Sequence, residues 1–93
     1  LEASGIRIDP SSHQATVDGD ELSLTLTEFR ILSELLKSEV KVLSRDQLRE
    51  LALGNLNVTD RTIDVHMAAV RKKLKGRSKS IQTVRGIGYR FVE

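Results

Sequence analysis

The chain has 93 residues, of which 39% are hydrophobic and 30% charged, enough for one small domain (1–93) with a single core and no room for a second. It has no Cys, so thiolate metal sites and disulfide frameworks are excluded, and no apolar run approaches the roughly 18 residues of a membrane span. The net charge of +2 is unevenly spread: residues 1–60 carry 6 Lys/Arg against 11 Asp/Glu (net −5) and residues 61–93 carry 9 against 2 (net +7), which gives a basic end suited to a polyanion.

The first two dozen residues read as an antiparallel meander. Ile6 and Ile8 alternate with Arg7 and Asp9, and Pro10-Ser11-Ser12 breaks that strand. A second strand, Gln14 to Val17, meets Asp18-Gly19, a tight-turn pair for a hairpin, and the return is expected at Leu22-Ser23-Leu24.

Three helices are predicted next. Thr25 and Glu28 have capping-box spacing ahead of an apolar stripe of Phe29, Leu32, Leu35 and Leu36. Ser44 and Gln47 repeat the device ahead of Leu48, Leu51 and Ala52, with Gly54 as the C-cap. Between them Lys41-Val42-Leu43 is a candidate short strand, and Asn55 to Val58 is a brief loop. Thr59 or Asp60 caps the third helix, which runs to Leu74 or Lys75 before Gly76. Lys75 to Ser80 is a polar, basic connection, followed by β-prone Ile81–Val84 and Tyr89–Val92 around an Arg85-Gly86-Ile87-Gly88 turn.

At about 100° per residue, Ile63, Met67, Val70 and Leu74 form one stripe of the third helix and are assigned to the core. The other side carries Arg61, Val65, Ala68, Ala69 and Lys72, flanked by Thr62 and Asp64. A β-branched apolar residue such as Val65 on an outward face gains from being covered, although single exposed apolar residues are common. The chemistry fits a DNA major groove. The two alanines allow close approach, and with Val65 they can touch thymine methyls; Asp64 can accept from cytosine N4, and Arg61 can reach guanine or phosphate. Arg71, Lys72, Lys73 and Lys75 suit phosphates and also the negative end of the helix dipole. Thr62 can bond phosphate or its own helix backbone, and His66 is a packed or phosphate-bonding imidazole. Arg85, at a hairpin tip, is the kind of cation a narrow minor groove attracts. No grouping of Ser, His and Asp forms a nucleophile site, and the two histidines lack metal-ligand spacing, so no enzyme and no cofactor are expected.

Leu26-Thr27-Glu28-Phe29, Val42-Leu43-Ser44-Arg45, Asp60 to His66 and Thr83 to Phe91 together resemble the C-terminal effector domain of OmpR/PhoB-type response regulators, over the whole chain. The resemblance implies an α+β winged helix-turn-helix: a four-stranded N-terminal antiparallel sheet, three helices and a C-terminal β-hairpin wing. It implies a cytoplasmic transcription regulator of a two-component system, with a receiver domain upstream that promotes dimerisation. Its partners are double-stranded DNA, as direct-repeat half-sites, and RNA polymerase. By the same resemblance Arg61, Thr62, Asp64, Val65, His66 and Arg71 match DNA-contacting or groove-facing positions, and Thr83, Arg85 and Gly86 form the wing's contact set. Gly54, Asn55, Leu56 and Asn57 fall in the segment that contacts polymerase in several members. The chain begins at Leu1 rather than Met, which fits a piece of a longer protein. Two departures stand out: Ala68 and Ala69 occupy positions that many members fill with basic residues, and Leu53 stands where Trp is common. The alternative function is a protein-interaction module with Val65, Ala68 and Ala69 at its apolar centre.

Overall fold

In the computed structural model the described residues are 1–38, 41–54 and 60–92, and the side chains of Leu53, Asp60 and Arg61 also lie outside the description. Strands β1 (Glu2–Ala3), β2 (Ile6–Asp9), β3 (Gln14–Val17) and β4 (Asp20–Glu21) form an antiparallel sheet in sequential order. Ile6, Ile8, Ala15 and Val17 are buried on one face while Arg7 and Asp9 face out, the period-2 pattern of a half-buried sheet. Asp9 Oδ1 accepts from the backbone and hydroxyl of Ser11, which closes the β2–β3 loop. Asp18 and Gly19 both take positive φ, 50° and 87°, as a two-residue turn matched to strand twist requires.

The return strand differs from expectation. It is Asp20–Glu21, and Leu22 contributes one further hydrogen bond, to Ala15 O at 2.8 Å, before the chain leaves to start α1 (Leu26–Lys37). Thr25 caps that helix: Thr25 Oγ1 accepts from Glu28 N at 3.2 Å and Glu28 Oε1 accepts from Thr25 N at 3.0 Å. Phe29, Leu32, Leu35 and Leu36 are buried as predicted, with Ile31 beside them.

Strand β5 is Leu43–Ser44, later than the predicted Lys41–Leu43, because its pairing partner rather than local propensity sets the register. Ser44 also caps α2 (Arg45–Leu53), with Gln47 N to Ser44 Oγ at 3.1 Å and Ser44 N to Gln47 Oε1 at 2.8 Å. Gly54 ends α2 at φ 63°, the left-handed conformation expected of its C-cap. Leu48 and Ala52 are buried, but Leu51 is 52% exposed, so the stripe on α2 is narrower than its spacing suggested.

Helix α3 (Asp60–Leu74) buries Ile63, Met67, Val70 and Leu74 completely. Each such side chain contributes about 1.5–3 kcal/mol by leaving water, which fixes the rotation of the helix and therefore which residues it shows outward. The basic connection is a 3-10 helix, Lys75–Ser80. Strands β6 (Ile81–Val84) and β7 (Gly88–Phe91) form the hairpin, and β5 adds to β7 in the order β5-β7-β6. Gly88 belongs to β7 rather than to the turn: a Cβ there would lie 2.0 Å from Leu43 O, so the β5–β7 approach requires glycine.

Ion pairs join elements across the fold, two of them between the basic segment 71–79 and the N-terminal half. Lys73 Nζ lies 2.6 Å from Glu28 Oε1, joining α3 to the N-terminus of α1, and the Glu28 side chain is 6% exposed. Arg77 forks onto Asp18, with Nη2 2.8 Å and Nε 3.1 Å from its carboxylate, joining the 3-10 helix to the β3–β4 turn.

Candidate nucleic-acid interface

Rotation of α3 by its core stripe leaves Val65, at 59% exposure, with Ala68 and Lys72 on the outer side. Thr62, His66 and Ala69 are half-buried along its flanks. The backbone of Arg61 lies in the first turn of the helix, but its side chain lies outside the described residues, as do Asn55, Leu56 and Asn57 entirely. The result is a ridge of small and apolar side chains ending in a lysine, beside the β6–β7 hairpin.

Asp64 and Arg71 have partners that spacing did not reveal. Asp64 Oδ1 accepts from the Tyr89 hydroxyl at 2.5 Å and from Arg45 Nε at 2.9 Å. Arg71 donates to Ile81 O at 3.0 and 3.2 Å and to Thr83 Oγ1 at 2.7 Å. The Tyr89 ring lies between the two guanidiniums, 5.6 Å from Arg45 and 5.3 Å from Arg71, within cation–π range. Asp64 therefore acts at least in part as a clip between α2, α3 and the wing. The hydrogen bonds from Tyr89 and then Arg45 hold its carboxyl below the usual range, while burial and the Asp64 bond push the Tyr89 phenol up.

Sequence reasoning passed over Arg45 and Tyr89 as site residues, since they stand 19 and 25 positions from Asp64. The available signal was the paired occurrence of Ser44-Arg45 and Gly88-Tyr89 in the two segments that carried the resemblance.

The wing tip is held forward by its turn. Gly86 takes φ 77°, Ile87 N bonds Val84 O at 2.9 Å, and Arg85 and Ile87 are exposed. Among the described residues Arg85 makes no hydrogen bond or ion pair, so its guanidinium is available to a ligand. Thr83 is exposed on β6 with its hydroxyl bonded by Arg71. Arg45 of α2 and Arg71 of α3 thus meet at the Tyr89 ring of the hairpin, beside the ridge of α3.

A three-helix core that leaves the third helix exposed beside a β-hairpin defines a winged-helix protein. The chain belongs to the family of C-terminal domains of transcriptional regulatory proteins, whose pattern matches residues 19–91, and within it to the OmpR/PhoB type of response regulator. It is 42% identical over 94 residues to the phosphate regulon transcriptional regulatory protein PhoB of Klebsiella pneumoniae, covering 98% of this chain and 41% of that protein. The chain thus spans less than half the length of that relative. The DNA-binding domain of the response regulator AdeR, solved in complex with an intercistronic region, superposes with a TM-score of 0.91 at 33% identity, covering 100% of this chain and 99% of that one. The RstA DNA-binding domain of Klebsiella pneumoniae, solved with the RstA box, gives 0.86 at 30% identity, covering 99% and 95%.

Proposed function

We propose that this chain binds double-stranded DNA sequence-dependently, with α3 in the major groove and Arg85 in the minor groove, as the effector domain of a transcription regulator. The observation that carries this reading is the position of Arg85, exposed and unpaired among the described residues, on a hairpin joined to α3 through Tyr89 and Asp64, beside the outward ridge of Val65, Ala68 and Lys72. Two structural relatives solved with DNA support it. On this reading Val65, Ala68 and Ala69 meet thymine methyls, and Arg61, Thr62, His66, Arg71, Lys72, Thr83 and Gly86 line the groove walls and phosphates. Asp64 mainly orients Arg45 and the wing, and any acceptance from cytosine is secondary.

The reading extends to a non-enzymatic, cytoplasmic protein that dimerises as a longer chain, occupies direct-repeat half-sites and meets RNA polymerase through Gly54 to Asn57; the family resemblance supports these features. The test is fluorescence anisotropy against a randomised duplex pool and its enriched sequences at two salt concentrations. Salt-dependent binding with a preferred repeated motif is expected. Absence of binding even at low salt overturns it in favour of a protein partner.

A further inference from the structure

The cations from Lys72 to Lys79 divide into two sets. Lys73 pairs with Glu28 of α1 and Arg77 with Asp18 of the β3–β4 turn. Lys72, Lys75 and Lys79 are exposed and make no ion pair among the described residues. These three surround one open cleft of about 520 Å³ at the C-terminal end of α3, with Arg71, Ser78 and Ile81 completing its described lining. That lining contains no carboxylate. Three exposed lysines around one cleft give it a positive potential that no carboxylate of the described lining offsets, which favours an anion there. Lys75 also holds φ 54°, a left-handed conformation that favours glycine, although Gly76 is the very next residue.

We infer that the Lys72–Lys75–Lys79 cleft is a backbone-phosphate anchor, which extends the DNA footprint past the groove-reading helix and wing. The inference rests on the DNA-binding function proposed above. A duplex is favoured over an acidic protein because of continuity. Lys72 belongs both to the outward ridge of α3 and to the cleft, and Ile81 at the cleft's base begins the strand that leads to Arg85. Val65 and Lys72 are about 10 Å apart along the helix axis, at 1.5 Å per residue. Successive charges on one DNA strand fall about every 3.4 Å of duplex axis, so a strand bordering the occupied groove supplies several phosphates over that length. The anchor is blind to base identity. It adds affinity where Ala68 and Ala69 contribute no charge.

The experiment is a salt series of anisotropy titrations of the 93-residue chain against an enriched duplex and a scrambled one. It compares the parent, Lys72→Gln/Lys75→Gln/Lys79→Gln, Lys75→Gly and Arg85→Ala. The triple variant is expected to bind both duplexes roughly 10–100-fold more weakly, with the log–log salt slope smaller by about 2–3, near 0.9 for each phosphate no longer neutralised. Its preference between the duplexes should change less than that of Arg85→Ala, which loses a groove contact. Lys75→Gly should bind less tightly while its Tm is held or raised, because glycine relaxes the backbone as the charge is removed. Those opposite signs separate a ligand role from a folding role. A folded triple variant with the parental slope overturns the anchor while leaving the DNA-binding function intact. Parental slope together with a polyglutamate affinity that the triple variant loses reassigns the cleft to an acidic protein. A parent that binds no duplex overturns both the anchor and the function on which it rests.

Discussion

The Tyr89 hydroxyl donates to Asp64 Oδ1 at 2.5 Å and thereby bonds the wing strand β7 to the outer flank of α3. The same oxygen receives Arg45 Nε from the first turn of α2, so one carboxylate sets the relative position of three elements around the proposed groove-binding surface.

Tyr89→Phe keeps the ring between Arg45 and Arg71 and removes only that donor. A hydrogen bond to a charged group is worth about 1.5–3 kcal/mol, and the partial exposure of Asp64 reduces this to about 1–2 kcal/mol. Urea unfolding should show that loss, and DNA affinity should fall as the wing becomes less firmly aligned. Unchanged stability would rule out the clip.

Acid should destabilise the domain through Asp64 and Glu28. Both carboxyls titrate below their ordinary values in the folded chain. In Asp64 the cause is the bonds from Tyr89 and Arg45; in Glu28 burial pushes upward but is outweighed by the bonds from Lys73 and the Thr25 backbone. The unfolded chain then binds more protons, so the stabilisation is complete above about pH 5 and is lost as pH falls through the lowered folded values. Tm measured from pH 7 to pH 2 should decline below about pH 4.5, and Asp64→Asn should flatten part of that decline.

Gly88→Ala places a methyl 2.0 Å from Leu43 O and 2.8 Å from Ser44 Cα. Backbone on both sides must move, which separates β5 from β7 and costs about 2–3 kcal/mol, the upper range for overpacking. Chemical denaturation checks the figure. Gly19→Ala is a useful contrast, since nothing lies within 4 Å of a Cβ there and only its φ of 87° is strained.

Arg85→Ala should weaken binding to an enriched duplex by about 1–3 kcal/mol, as expected for one specific groove contact, and leave the melting temperature nearly unchanged because Arg85 is exposed. Parental affinity in a folded variant would show that the wing tip does not enter the groove.

The sequence by itself determined the features whose causes are local. Thr25 with Glu28 and Ser44 with Gln47 start helices because side chain and backbone partners lie three residues apart. Asp18-Gly19 turns because those residues tolerate positive φ, and Ile63, Met67, Val70 and Leu74 form a core stripe because 3.6 residues complete a turn. The ridge of Val65, Ala68 and Lys72 was legible for the same reason: whatever opposes the core must face outward. Tertiary structure decided what depends on residues distant along the chain. Leu51 had the spacing of a core residue and is half-exposed, since no layer covers that side of α2 among the described residues. Asp64 had the placement of a base-reading acceptor, yet Arg45 and Tyr89 arrive from 19 and 25 positions away to bond it. Gly88 looked like part of a turn, but β5 lies where its side chain would be. Lysines 72, 75 and 79 became a cleft only when α3 stopped at Leu74 and the chain wound on as a 3-10 helix. Periodicity records which way a side chain leaves its own element; packing between elements decides what it then meets.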